Sequence, residues 1–261
     1  MKRKGDLDRY FFDRRKSLWA ALSYLSTTSN LGGGSHFDEG DYVSIIDVGC
    51  AGSDSVKEWF EIFDVGKLLA IDARQSAVDE VALNVQRSEV TTRCVALSAH
   101  SGEMRPFHSE VQGGFNSSFY DPNFDSDVVT AHRGVHGKTS SFEDRRGWTT
   151  AWVATETLDE VAREFVDGVG GGWLVLKLDC QGAELEILSG ADRVLREAQL
   201  LVTEIRFDDL YVGAPPGLDA FTFLREKGFR LWDISNIYKD LPAKRTLWID
   251  AIFVRHAHEQ E

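Results

Sequence analysis

The chain has 261 residues, more than a typical domain of about 100–150 residues but within the reach of one large α/β domain. Apolar residues make up 43% and charged residues 27%, which excludes a disordered or fibrous chain. No apolar run approaches the roughly 18–20 residues of a membrane span, and the start MKRKGDLDRYFFDRR lacks the apolar stretch of a secretory signal. A soluble, cytoplasmic protein without a membrane partner is expected. The net charge of −13 argues against a protein that binds nucleic acid by neutralising phosphates. Seven Lys and Arg crowd residues 1–16 against Asp6, Asp8 and Asp13, and read better as a solvated helix face than as an RNA-binding arm. Cys50, Cys94 and Cys180 are odd in number and far apart, so they form neither a disulfide framework nor a zinc motif.

In chain order, Leu7, Tyr10, Phe11, Leu18, Trp19, Leu22 and Leu25 recur at helical spacing and predict an amphipathic helix over 7–25. A homodimer through this helix is one partner expectation. STTSNLGGGSHFDEG (26–40) reads as a linker, giving a helical extension over 1–40 and a main domain over 41–261. Four apolar runs then alternate with helices: YVSIIDVGC (42–50), KLLAIDA (67–73), TTRCVALSA (91–99) and WLVLKLDC (173–180), with helices near 53–63 and 76–87. Runs apolar on both faces and separated by helices predict parallel strands between two helical layers. QGAELEILSGADRVLREA (181–198) predicts one helix, LLVTEIRF (200–207) a fifth strand and 218–228 a further helix. FRLWDIS (229–235) and LWIDAIFV (247–254) leave no room for a helix between them and should pair antiparallel. Residues 104–156 form an insert of weak periodicity, with 145–155 as one extra edge strand; so long an insert is functional or disordered more often than inert.

Ligands of open α/β sheets bind beyond the carboxyl ends of the strands. The first predicted strand ends there in Asp47-Val48-Gly49-Cys50-Ala51-Gly52, and the second ends in Asp72, an acid placed to accept from the hydroxyls of a ribose. Alone, this pair fits an NAD-dependent oxidoreductase as well as any other adenosine-cofactor enzyme.

Longer segments discriminate. Lys177-Leu178-Asp179-Cys180-Gln181-Gly182-Ala183-Glu184-Leu185-Glu186 resembles the signature of FkbM-type methyltransferases, as do IIDVGCAGSDS, LLAIDARQSAVDEVALNVQ, CVALSAHSGEM, NSSF (116–119), TLDEVA (157–162), LLVTEIRF and FLREKGFRLWDI. The resemblance runs in order over about residues 42–254. It implies a class I methyltransferase Rossmann-like fold, α/β with a mostly parallel seven-stranded sheet, a terminal antiparallel hairpin and helices on both faces. It also implies S-adenosylmethionine as cofactor and O-methylation of a hydroxyl on a small molecule or glycan. By position, Asp47, Gly49, Ala51 and Gly52 would line the methionine and ribose end, Asp72 the ribose, and Leu97 and Ser98 the adenine. The sequence departs from the family at Gln181, where Glu is usual, and in the glycine loop, where Gly52-Ser53 stands shifted. The rival readings are the NAD-dependent oxidoreductase and a noncatalytic nucleotide-binding assembly protein.

Methyl transfer to a hydroxyl needs alignment and a proton acceptor. Asp179 and Glu204, at the ends of adjacent predicted strands, are the candidate catalytic pair, as base and orienter or as ligands of a divalent cation such as Mg²⁺ with Asp208 and Asp209 as weaker additions. Glu184 reads equally as a helix-dipole residue and as a substrate contact, and Lys177 as a strand lysine paired to an acid. His100 and His108 are minor candidates for the base, and His132 and His136 read as a loop pair. Trp173 and Trp248 read as core, Trp148 and Trp152 as surfaces for acceptor stacking.

Overall fold

The computed structural model describes residues 14–27, 41–111, 113–126, 145–170, 172–240 and 244–256. Its strands are β1 (Val43–Val48), β2 (Val65–Asp72), β3 (Val90–Cys94), β4 (Ala96–Leu97), β5 (Met104–Glu110), β6 (Asp121–Pro122), β7 (Trp148–Glu156), β8 (Trp173–Leu178), β9 (Leu200–Arg206), β10 (Tyr211–Val212), β11 (Phe229–Asp240) and β12 (Arg245–Arg255). Its helices are α1 (Arg14–Thr27), α2 (Ser53–Ile62), α3 (Gln75–Asn84), α4 (Leu158–Val161), α5 (Arg163–Asp167), α6 (Glu184–Ser189), α7 (Asp192–Glu197) and α8 (Gly217–Glu226).

Seven strands form the central sheet in the order β11-β12-β9-β8-β1-β2-β3. β3, β2, β1, β8 and β9 pair in parallel, while β12 runs antiparallel between β9 and β11. This is the class I methyltransferase arrangement, and the sheet is mixed. The order reverses direction at β1 and β8, and a crevice opens beyond their carboxyl ends. Every residue of β1 is buried, and its side chains divide by the two-residue repeat of a strand. Val43 and Ile45 join the core under α2 and α3, and Ile46 and Val48 join the core on the opposite face.

The first helix completes one of these layers. Leu18, Leu22 and Leu25 are buried against the same core as Val43 and Ile45, each side chain contributing about 1.5–3 kcal/mol. Trp19 donates its indole N–H to the carbonyl of Ile62 at 2.7 Å. The apolar face at 18–25 is thus covered by the sheet of its own chain; the predicted residues 7–13 and the linker at 28–40 lie outside the described residues.

Four local expectations are corrected. The run 91–99 is not one strand: β3 stays in the main sheet, and after Val95 the chain leaves it so that β4 pairs in parallel with β7. The segment 145–155 does not extend the main sheet either. It supplies β7, the centre of a second sheet in the order β4-β7-β5. The helix expected over 181–198 is two short helices, because Gln181 and Gly182 turn with φ of 52° and 96°. Gly190 interrupts it again where a Cβ would stand 2.6 Å from the carbonyl oxygen of Ser98. Last, β11 and β12 run longer than expected, to Asp240 and from Arg245, because they pair along their whole length through three register shifts.

Candidate functional site

Two strand-to-helix turns build the site. At the first, after β1, Gly49 has φ of 71° and a Cβ there would stand 2.0 Å from the carbonyl oxygen of Asp179, so only glycine lets the two turns approach this closely. Ala51 also has a left-handed φ of 56° and donates its backbone N–H to Asp72 Oδ2 at 3.0 Å. Gly52 begins α2 with φ of 149°, and a Cβ there would meet the carboxylate of Glu80 at 2.9 Å. Glu80, on α3, accepts from both the backbone N–H and the hydroxyl of Ser53. The start of α2 carries no side-chain cap of its own, and a carboxylate from the next helix satisfies it.

Asp47 sits beneath this loop rather than on the crevice. It is fully buried, accepts from the Ser55 hydroxyl and the Trp59 indole N–H at 2.9 Å each, and lies 3.1 Å from Lys177 Nζ. Lys177 in turn donates to the carbonyl of Gly49 at 2.8 Å. Burial opposes the charge on Lys177, but Asp47 and Asp179 outweigh it and hold the amine above its ordinary range. The pair braces the loop from below.

Above it the crevice is lined by Gly49, Ala51, Asp72, Leu97, Phe119 and Asp179, among others. The apolar side chains form the walls an adenine ring needs, Asp72 offers the carboxylate a ribose needs, and Gly49 leaves backbone exposed for close approach. These residues fit S-adenosylmethionine, with one structural condition. All four acceptor positions of Asp72 are taken: Oδ2 by Ala51 N–H and Arg74 Nη2, Oδ1 by Arg74 N–H and Nε. Arg74 also donates to the carbonyl of Gly113 and lines the crevice, which has a volume of about 60 Å³. Ligand pockets generally run to roughly 300–1,000 Å³, and Arg74 occupies three of the four acceptor positions of Asp72.

The second turn, after β8, works through side chains. Glu184 accepts from the backbone N–H groups of Cys180 and Gly182 at 2.7 and 3.0 Å, which makes it the cap of this turn. Gln181 donates its amide to Asp179 Oδ1 at 2.9 Å and accepts from Arg206 Nη1 at 3.1 Å, with the Tyr211 hydroxyl 2.9 Å from the same oxygen. An amide can donate to one side and accept from the other; a carboxylate could not donate to Asp179. Ser118, from the NSSF segment, donates to the carbonyl of Gln181 at 2.7 Å. This ties the insert to the turn.

Asp179 and Glu204 do not share one crevice. Asp179 lines the cleft beside Gly49, whereas Glu204 lines a second cavity with Arg206, Tyr211 and Glu184, and Gln181 stands between them. Arg206 binds Glu204 Oε1 at 2.6 Å and Asp208 Oδ2 at 2.7 Å, so the two candidate acids present no common coordination site. Among the described residues no group of three His, Cys, Asp or Glu is placed to hold a metal. Burial pushes the Glu204 carboxyl well above the usual carboxylate range; Arg206 opposes this, while Asp179 and Glu184 add to it. Burial, with Asp47 and Asp72 nearby, pushes the Cys50 thiol up to about 12, and burial beside Glu184 raises Cys180 as well. Neither thiol is a nucleophile at neutral pH.

The remaining candidates are placed as follows. Leu97 lines the cleft, but Ser98 turns away, its hydroxyl accepting from Arg105 at 3.2 Å. His108 is held between Thr150 and Asp121 and His100 is exposed; neither lines the cleft. Trp148 packs with Leu210 and Tyr211, and Trp248 joins the same small cluster. Trp173 packs on the core under α2, and Trp152 is exposed on β7. His132 and His136 lie outside the described residues.

The sequence reading missed Arg74, Glu80, Arg206, Tyr211 and the insert residues Phe107 and Phe119. Only NSSF carried a signal for the last of these; the others are ordinary residues whose roles depend on distant partners.

Among solved structures, the fold is similar to a methyltransferase FkbM from Methylobacillus flagellatus, at 13% identity and a TM-score of 0.47, with 95% of this chain matched to 56% of that one. It is similar to precorrin-6y C5,15-methyltransferase from Geobacter metallireducens, at 12% identity and a TM-score of 0.39, over 98% of this chain and 94% of that one. It is also similar to Aeropyrum pernix fibrillarin, solved with natively bound S-adenosyl-L-methionine, at 10% identity and a TM-score of 0.38, over 91% and 75%. No curated protein matches the sequence. Among the described residues no helix is long and apolar enough to cross a membrane. The methyltransferase FkbM domain matches residues 37–231, a span that holds both turns and every residue lining the cleft, and the chain belongs to this family of S-adenosylmethionine-dependent methyltransferases.

Proposed function

We propose that the protein transfers the methyl group of S-adenosylmethionine to a hydroxyl of a small molecule or glycan, with Asp179 as the proton acceptor. The observation that carries this reading is the division of labour between the two acids on the cleft. Asp72 is saturated by Arg74 and Ala51. Asp179 is braced on one oxygen by Gln181 while its side chain stays 43% exposed. Among the described residues no histidine lines the cleft, and burial raises the Cys50 and Cys180 thiols above their ordinary range.

The cofactor, when bound, supplies an electrophilic methyl on a sulfonium. The protein's own part is to hold the acceptor in line and to receive its proton. Asp179 is suited to the second task because its half-exposed carboxylate reaches the cleft, with Gln181 donating to Oδ1 and Lys177 3.9 Å from Oδ2. Gly49, Ala51 and Asp72 bind and orient the cofactor, and Lys177 with Asp47 keeps their loop rigid.

The test has two arms. Calorimetric titration should show binding of S-adenosylhomocysteine and none of NAD. Methyl transfer is then screened over hydroxylated acceptors, with and without chelator, and Asp179→Asn should lower kcat by about 10²- to 10⁴-fold while leaving S-adenosylhomocysteine affinity in place. Unchanged turnover in Asp179→Asn would remove this base, and binding of NAD alone would remove the methyl-transfer reading.

A further inference from the structure

One guanidinium joins three separate pieces of the cleft's apolar wall. Arg105, on β5, donates through Nη1 to both carboxylate oxygens of Glu186 at 2.7 Å and to the Ser98 hydroxyl at 3.2 Å. Its guanidinium carbon lies 4.6 Å from the centroid of the Phe119 ring. Each of these contacts falls on the wall or beside it: Leu97 precedes Ser98 at the end of β4, Ile187 follows Glu186 on α6, and Phe119 is itself a wall residue. Arg105 does not line the cleft, so it supports the wall from behind.

Leu97, Phe119 and Ile187 come from β4, the insert and α6, and no single backbone element sets their spacing. Phe107 lies two residues along β5 from Arg105 and therefore on the same side of the strand. It meets Phe119 edge to face, with ring centroids 5.6 Å apart, and also lines the cleft. The ion pair at the centre is shielded, with the side chains of Arg105 and Glu186 22% and 27% exposed. Burial opposes the charge on Arg105, and Glu186 outweighs it. A planar cation stacked on an aromatic ring and bonded to a carboxylate holds both in one arrangement.

We propose that Arg105 is a positioning residue for the cofactor: it assembles the wall that receives the adenine ring from β4, the insert and α6, and so sets the affinity for the adenosyl half of S-adenosylmethionine without touching it. Loss of the guanidinium frees Phe119 from Glu186 and loosens the wall on the adenine side, while Asp72 and the turn at Gly49 keep their own contacts. The proposal rests on the cofactor reading above and adds to it a residue outside the cleft.

Calorimetry and saturation-transfer NMR with S-adenosylhomocysteine test it. Arg105→Ala should weaken binding by about 10-fold, the scale of one charge-assisted contact. In the same variant, transfer to the adenine H2 and H8 protons should fall relative to the ribose H1′ proton, because the wall and not the ribose site has loosened. Arg105→Lys, which keeps a cation for Glu186, should recover part of both effects. Glu186→Gln, which keeps the shape and removes the charge from the other side of the pair, should shift the adenine-to-ribose ratio in the same direction, so the test does not depend on one variant folding. Unchanged affinity in Arg105→Ala, or weaker binding with an unchanged ratio, would overturn the proposal; the second result would leave Arg105 a purely structural residue. Failure of the wild-type protein to bind S-adenosylhomocysteine would overturn the cofactor assignment, and this proposal with it.

Discussion

The turns after β1 and after β8 stand in contact and use opposite means. The first presents backbone: Gly49 is there because a Cβ would overlap the Asp179 carbonyl, and its helix start is satisfied by Glu80 from another helix. The second presents side chains: Gln181 holds a left-handed φ of 52°, a conformation that costs a non-glycine residue about 1–2 kcal/mol. In exchange its amide joins Asp179 to Arg206. A turn that must let a ligand approach closely loses its side chains, and a turn that must position charges keeps them despite strain.

The largest effect should come from adding one carbon to the first turn. Gly49→Ala should lower unfolding free energy by more than about 3 kcal/mol in urea denaturation and abolish S-adenosylhomocysteine binding. Gly213→Ala is the control, with a similar φ of 78° but nothing within 4 Å of the added carbon; it should cost only the left-handed strain of about 1–2 kcal/mol. Equal losses in the two would mean that the close approach of the turns is not what requires glycine.

Next in size, Asp72→Ala should weaken S-adenosylhomocysteine binding by about 100-fold, the loss expected for charge-assisted hydrogen bonds to two hydroxyls. Arg74→Ala should tighten it, because the guanidinium no longer competes for the same oxygens. Calorimetry of both variants separates a carboxylate that binds ribose from one that only anchors Arg74; if both weaken binding alike, Asp72 is only an anchor.

At the second turn, Gln181→Glu removes the donor to Asp179. It should destabilise by about 1–2 kcal/mol at neutral pH. The loss should vanish in acid, where the new carboxyl is protonated and donates again. The new acid's folded-state pKa would be raised, so stability falls as pH rises through that value. A loss independent of pH would show that the amide's contact with Arg206, and not its donation to Asp179, is what matters.

The smallest effect is that of Glu204, whose folded-state pKa is raised by burial. Between the ordinary glutamate range and that raised value the folded state binds more protons than the unfolded state, so unfolding free energy declines with rising pH. Glu204→Gln should flatten this part of a thermal-melt pH profile; an unchanged slope would assign it to another group, such as Glu184.

Much of this was legible in the sequence. Buried strands announce themselves by composition, so β1, β2, β8 and β9 could be read from apolar runs, and the antiparallel end of the sheet from a connection too short for a helix. The places of Gly49, Ala51, Asp72 and Asp179 on the cleft followed from strand ends alone, because in an open α/β sheet the carboxyl edge is where ligands meet the chain, whereas Leu97 reaches the cleft from β4 of the second sheet. What could not be read was direction and partnership. Asp47 and Ser98 lie next to residues of the cleft in sequence, yet Asp47 points into the protein, since successive strand residues face opposite ways, and the buried Ser98 hydroxyl is taken by Arg105. The separation of Glu204 from Asp179 depends on Gln181 and Arg206 meeting between them, 25 residues apart in the chain. The amino-acid sequence by itself determined the buried parallel strands, which follow from local apolar patterning, and the family, through the resemblance of its motifs to FkbM-type methyltransferases. Only the tertiary structure decided that Asp179 faces the cleft while Glu204 is held by Arg206, and that Arg74 covers Asp72, because each of those depends on side-chain contacts across turns that local sequence does not encode.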